Sequence, residues 1–264
     1  MRFDSLVEGT RRLLRNPLIG IGFAVVAIAF VATRWSDSWT ELKGLAAGAH
    51  WLGLAAALVL YVLALLAIAA GIAISLGPSA GVFWGALGGQ LLKYIPGAVW
   101  QGIPTAAERS TSGYLTYGAV TLGAASVGLL LSRRPLIVAA GFAFCAILLF
   151  AGFRSASPAT TVTVALLVVV AVVCLAASAA AVGSMYGLDP ATWGRDLAAA
   201  WGVGVLSIPV PAGLGIRELA LTGFSEADTA TIALVATSHR SVTLVGDVAA
   251  GVVGLIAHAR VRRS

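Results

Sequence analysis

Lys93, Arg217, Glu218, Arg240 and Asp247 are the residues of this sequence most able to do chemistry, because each is ionisable and lies in or beside an apolar run. An ionised side chain at bilayer centre costs at least about 2.5–3.5 kcal/mol on insertion scales, so such residues face protein or a wet cavity rather than lipid. Lys93 belongs to Gly88-Gly89-Gln90-Leu91-Leu92-Lys93-Tyr94-Ile95-Pro96-Gly97-Ala98-Val99-Trp100-Gln101. A helix can run to about Tyr94, because the residue before a proline prefers an extended backbone, and Gly97 then permits a sharp reversal. If the stretch is helical, Gln90 and Lys93 share a face. A lysine, an amide and open backbone groups together would suit a phosphate. Equally, Lys93 can snorkel to the interface and Trp100 can join an aromatic belt.

The second interruption reads Ser207-Ile208-Pro209-Val210-Pro211-Ala212-Gly213-Leu214-Gly215-Ile216-Arg217-Glu218. Two prolines and two glycines so close together cannot form a regular transmembrane helix. A new helix beginning near Leu214 would aim its first amides, which attract anions, at the break. Arg217, in the first turns of that helix, opposes its dipole unless an anion or Glu218 offsets it. That makes it a candidate ligand for an anion, with a structural pair to Glu218 or an aspartate as the alternative. Each break is followed by an adjacent charged pair, Glu108-Arg109 after the first and Arg217-Glu218 after the second. Arg240 and Asp247 are seven apart, so on a helix they project from nearly one face, about 10 Å apart along the axis. Arg240 could instead mark a membrane boundary. Asp247, eleven residues before His258, is harder to read that way.

Other chemistries lack their motifs. His50, His239 and His258 are scattered without metal-ligand spacing, so no metal site is expected. There is no nucleotide-binding P-loop and no Gly-x-Ser-x-Gly elbow. The 11 acidic residues are dispersed, with Asp189 and Asp196 the one moderately close pair outside the termini and loops. No catalytic cluster, and no cofactor, is therefore expected.

The elements that must position these residues are membrane spans. The 264 residues are 59% hydrophobic and 11% charged, with a mean hydropathy of +0.95. Soluble domains carry roughly 25% charge. Candidate spans of about the length needed to cross hydrocarbon fall at 17–34, 51–76, 113–132, 134–153, 160–183 and 239–258. The segments 80–103 and 195–222 are the broken ones, and 35–50 reads as a loop or interfacial helix. The expected fold is all-α: a polytopic helical bundle of about six to eight spans, with the two Pro/Gly breaks (Pro96, Gly97; Pro209, Pro211, Gly213, Gly215) as re-entrant segments in inverted arrangement. A matched pair of broken segments in two halves of a chain points to a transporter's binding site. A single integral membrane domain over 1–264 is expected, since no polar linker divides it. The basic termini, 1–16 (Arg2, Arg11, Arg12, Arg15) and 259–264 (Arg260, Arg262, Arg263), are expected to be cytoplasmic and against anionic headgroups, rather than bound to nucleic acid. Arg133-Arg134, placed outside by this count, runs against the positive-inside tendency. The N-terminus lacks a convincing cleavage site and reads as an uncleaved first span. Cys145 and Cys174 read as small hydrophobes, not a disulfide framework.

Lys93-Tyr94-Ile95-Pro96-Gly97 with Trp100, then Pro209-x-Pro211-x-Gly213-x-Gly215-x-Arg217-Glu218, with a buried arginine in the last helix at Arg240, resembles the flippase-like family related to the membrane domain of lysylphosphatidylglycerol synthases. The resemblance covers roughly 50–258. Ala212 stands where the family often has glycine, the chain is shorter than typical members, and the soluble aminoacyl-transferring domain is absent, so lysyl transfer is not implied. The resemblance implies movement of a lipid or lipid-linked headgroup between leaflets of the bacterial cytoplasmic membrane. The partner would be an anionic phospholipid or a polyprenyl-phosphate-linked lipid. Lys93, Arg217 and Arg240 would contact the phosphate, Glu218 and Asp247 would orient the arginines, and Gln90, Tyr94, Trp100, Glu108 and Arg109 would be secondary candidates. The rival readings are an integral membrane enzyme acting on a lipid carrier, and an accessory subunit of a membrane synthase or glycosyltransferase.

Overall fold

The computed structural model describes residues 51–94, 101–152, 157–206 and 216–262, and these are helical with no strand among them. The expected first span 17–34, the segment 35–50, and Pro96, Gly97, Trp100, Pro209, Pro211, Gly213 and Gly215 lie outside the described residues. In chain order the helices are α1 (Trp51–Ser75), α2 (Ala80–Gly88) continuing as a 3-10 turn (Gly89–Tyr94), α3 (Ile103–Leu130), α4 (Pro135–Gly152), α5 (Pro158–Met185), α6 (Pro190–Leu206), α7 (Ile216–Phe224) and α8 (Thr229–Val261). α1, α5 and α8 are each long and apolar enough to cross a membrane, and α3 holds a shorter apolar stretch, Leu115–Leu130. Their outer faces expose large apolar side chains such as Val59, Leu63, Leu166, Val173, Val253 and Ile256. Exposed contiguous apolar surface of this kind suits lipid rather than water.

Helix ends follow from local chemistry. α1 and α5 both stop at a glycine in the left-handed region, Gly77 (φ +88°) and Gly187 (φ +74°). Two residues after each glycine comes the cap of the next helix. Ser79 accepts from the Val82 amide, and Asp189 accepts from the Thr192 amide at 2.8 Å. Hydrogen bonds from Thr192 hold the exposed Asp189 carboxyl below the usual carboxylate range. Proline at the first position of α5 and α6 costs no hydrogen bond, because that amide has no helical partner. The expected helix boundaries at about Tyr94 and near Leu214 adjoin residues 95–100 and 207–215, which lie outside the described residues. α3 differs: it begins ten residues before the expected span at 113, because Ile103-Pro104 starts the helix and carries it through Glu108-Arg109.

Small residues set the packing register. Gly53 on α1 abuts Met185 at the end of α5, and Gly71 lies near Val164 at its start, so α1 and α5 are antiparallel. Gly88 and Gly254 meet where α2 crosses α8, with Gly85 near His258, so that pair is antiparallel too. α3 and α6 repeat the arrangement, Gly128 against Ala198 and Gly202 against Ala125. Lipid offers no hydrophobic drive for helix association, so close approach and dispersion carry it. A Cβ at Gly254 would fall 2.5 Å from the Gly88 backbone nitrogen. Gly254→Leu is therefore expected to destabilise the fold by about 1–3 kcal/mol, read as a lowered Tm in detergent.

Arg133 and Arg134, at the α3–α4 turn, act as pins. Arg133 Nη2 donates to Thr192 Oγ1 at 2.6 Å on α6, and Arg134 Nη2 donates to the Gly223 carbonyl at 2.8 Å in the last turn of α7. A cation on the final carbonyls of a helix satisfies open acceptors and opposes the negative dipole end.

Candidate functional site

α8 presents Arg240 and Asp247 to one cavity of about 350 Å³, as their seven-residue spacing predicts. The flanks of both interruptions face the same space: Tyr94 and Gln101 on either side of the first, Val205 and Arg217 on either side of the second. The lining also includes the apolar Leu65, Ile68, Leu122, Val172, Leu175 and Trp201. Charged and apolar side chains thus line one space.

Asp247 is almost fully buried and collects three donors. Tyr61, from the middle of α1, donates its hydroxyl to Oδ1 at 2.7 Å. Tyr94 donates to Oδ2 at 2.5 Å, and the Lys93 ammonium lies 2.6 Å from the same oxygen. Lys93 Nζ also donates to the Tyr61 hydroxyl oxygen at 3.1 Å. The 3-10 turn makes this possible, since its tight winding brings Lys93 and Tyr94 to α8 directly before the break. Gln90, three residues earlier, faces the cavity as well, where its amide donates to the Tyr117 hydroxyl at 3.5 Å; Tyr117 in turn donates to Gln101 Oε1 at 3.0 Å.

The second cluster sits at the start of α7. Arg240 Nη1 contacts Glu218 Oε1 at 2.5 Å, and Arg217 Nε is 3.8 Å from the same oxygen. Arg217 is buried, with only 6% of its surface exposed, and neither Nε nor Nη2 has a hydrogen-bond partner. Buried polar groups in proteins are nearly always bonded, so a buried guanidinium with two unbonded nitrogens, on a residue that lines the cavity, calls for an explanation. Around the cavity, three cations (Lys93, Arg217, Arg240) are set against two carboxylates (Asp247, Glu218). The surplus charge resides on Arg217.

Two expectations need correction. Asp247 does not orient the arginines: it is bound by Lys93 and two tyrosines, because the 3-10 turn reaches it first. Glu218 alone of the two carboxylates contacts them. Glu108 and Arg109 do not join the cavity. α3 starts beside α2 and the end of α8, which puts Glu108 Oε1 3.3 Å from Arg262 Nε and 3.6 Å from His258 Nε2, while Arg109 is exposed. His258 Nδ1 lies 2.9 Å from the Gly81 carbonyl. Sequence reasoning also missed Tyr61, Tyr117, Gln101, Thr121 and Thr243, all of which line the cavity. The available signal was a lone tyrosine inside the otherwise apolar α1, whose buried hydroxyl must find a partner. No group of three potential metal ligands occurs among the described residues.

Compared with known proteins, the chain matches no family model, no curated protein and no solved structure.

Proposed function

We propose that this chain moves an anionic lipid, either a phospholipid or a polyprenyl-phosphate-linked carrier, between the leaflets of the cell membrane. The observation that carries the reading is Arg217, a buried cation whose Nε and Nη2 have no hydrogen-bond partner, on the lining of a cavity that also has apolar side chains around it. A charged headgroup cannot enter hydrocarbon unless protein groups replace its water. Arg217 brings a charged donor for that replacement, and the apolar lining side chains suit the chain behind the headgroup.

The packing register supports an inverted, re-entrant plan. α2 runs antiparallel to α8 and α6 antiparallel to α3, while α1 and α5 oppose each other. On this reading the two interrupted segments enter from opposite faces and meet at the cavity, as in transporters built from inverted repeats. Among the described helices the full crossings are then α1, α3, α4, α5 and α8. His258, Arg260 and Arg262 at the end of α8, with the basic N-terminus, favour the cytoplasmic side for both termini.

The test is reconstitution in liposomes carrying a fluorescent phospholipid in one leaflet, with a labelled polyprenyl phosphate as the second substrate. Wild-type protein is expected to accelerate exchange between leaflets. Gly118 gives a variant that leaves every charged group in place, because it lines the cavity and a Cβ there meets no atom within 4 Å. Gly118→Trp is expected to fill the cavity and lower exchange at least about tenfold with little change in Tm. Wild-type rates in this variant would remove the cavity from the transport path.

A further inference from the structure

We propose that the cavity selects lipids whose headgroup carries a single negative charge, a phosphodiester rather than a phosphomonoester or a zwitterion; this rests on the function proposed above. The inference follows from how the charges around the cavity are already matched. Lys93 and Asp247 lie 2.6 Å apart, so together they carry no net charge whichever atom holds the shared proton. Arg240 is paired with Glu218 in the same way. Arg217 adds one positive charge, and its contact of 3.8 Å is to a carboxylate that Arg240 already holds. Gln90, Gln101, Tyr117, Thr121 and Thr243 bring hydrogen-bonding groups to the lining without charge. Residues 95–100 and 207–215, the two interruptions, contain no Asp, Glu, Lys, Arg or His. Among the described residues the site therefore has a surplus of one positive charge.

A buried site is most stable near zero net charge, because its surroundings cannot solvate an excess. One phosphodiester meets that condition with both ion pairs intact. The match concerns charge, which acts over several ångströms in a low-dielectric interior, so it does not require Nε or Nη2 of Arg217 to face the cavity.

The other headgroups fail in opposite directions. A doubly charged phosphomonoester leaves one negative charge unmatched. Meeting it means drawing Lys93 from Asp247 or Arg240 from Glu218, which strands a carboxylate in its place. Lys93 is tied further by the Tyr61 hydroxyl oxygen, which accepts from it at 3.1 Å. A zwitterion brings a phosphate that suits Arg217 and a cation that nothing receives. The Asp247 oxygens already take three donors, and Glu218 lies between two arginines. The rings of Tyr61 and Tyr94, which could hold a cation, already lie 5.8 and 5.6 Å from Lys93 Nζ.

The experiment measures exchange by wild-type protein in liposomes, corrected for protein-free liposomes, with lipids labelled in the hydrocarbon so that headgroups stay intact. Two matched pairs are compared: phosphatidylmethanol with phosphatidic acid, and polyprenyl methyl phosphate with polyprenyl phosphate. Members of a pair differ by one methyl and, above the second phosphate pKa of about 6, by one charge. The pair that moves identifies the hydrocarbon. Within it, at about pH 8.5, the diester is expected to exchange at least about tenfold faster than the monoester, and faster than phosphatidylcholine by a similar factor. At about pH 5.5 the monoester takes up a proton and is expected to approach the diester, whose own rate stays within about twofold. Titration of a protein group such as Glu218 or Asp247 would instead move both members together. Glu218→Gln leaves Arg240 unmatched and raises the surplus to two charges, so it is expected to raise the monoester relative to the diester by at least about threefold at the higher pH. A monoester or phosphatidylcholine that keeps pace with the diester at about pH 8.5 would overturn the selectivity and leave translocation standing. Exchange of no lipid at either pH would overturn both. The wild-type series decides the matter should Glu218→Gln not fold.

Discussion

Replacing Arg217 by methionine is expected to abolish lipid exchange while leaving the protein as stable as wild type or more so. The two effects separate because Arg217 is a poor structural residue. It is buried, its Nε and Nη2 are unbonded, and its contact with Glu218 is 3.8 Å. Leaving a buried donor unsatisfied costs about 1–3 kcal/mol, so methionine, which fills similar space without polar atoms, is expected to gain about 1–2 kcal/mol. Glu218 does not become an orphan, because Arg240 still holds it at 2.5 Å. Function moves the other way. Two charge-assisted bonds to a phosphate, at about 1.5–3 kcal/mol each, correspond to a loss of at least about a hundredfold in exchange rate. Arg217→Lys keeps the charge and loses the fork, so an intermediate rate is expected. Parallel measurement of Tm in detergent and exchange in liposomes checks both. A large fall in Tm with Arg217→Met would make the residue structural, and unchanged exchange would remove it from the site.

Asp247 gives the opposite pattern. It joins α1, the 3-10 turn and α8 through three donors, so Asp247→Ala strands the Lys93 ammonium and two tyrosine hydroxyls in the interior. Removing one partner of a buried ion pair costs about 3–5 kcal/mol. The companion variant Lys93→Met strands Asp247 instead, which keeps its two tyrosine donors, and is expected to cost less. In the double variant Lys93→Met/Asp247→Ala no buried charge is left unmatched. Its loss is therefore expected to fall below the sum of the single losses by about 1–3 kcal/mol, which a double-mutant cycle by thermal or denaturant unfolding resolves. Additive losses would mean the two residues do not act as a pair.

Much of this arrangement was legible in the residues themselves. Apolar runs gave the helices that the structure places at 51–75 and 158–185, because long stretches of Leu, Val, Ala and Ile leave no polar side to turn to water. The seven-residue spacing put Arg240 and Asp247 on one face, and the cavity confirms that they share it. The pairing of charges was not legible. Asp247 meets Lys93 and not an arginine because the 3-10 turn ends directly against α8, and a change of winding from α to 3-10 has no marker in Gly89-Gln90-Leu91-Leu92. Glu108-Arg109 looked equivalent to Arg217-Glu218 because both follow a break. The difference is where they pack: Arg217 lines the cavity, whereas Glu108 lies against the last turn of α8. Tyr61 and Tyr117 carry hydroxyls into helices that otherwise read as packing surface, so their part in the site emerges only from the partners they meet.

The central claim is that the two interrupted segments form one anion-binding cavity, and photo-crosslinking tests it most directly. A phospholipid with a photoreactive headgroup is incorporated with wild-type protein in nanodiscs, illuminated, and the labelled peptides are mapped by mass spectrometry. The account predicts headgroup label on both the Gln90–Gln101 and the Val205–Glu218 peptides, reduced on both by Gly118→Trp. Label confined to the outer faces of α1, α5 and α8, and unaffected by that substitution, would contradict it.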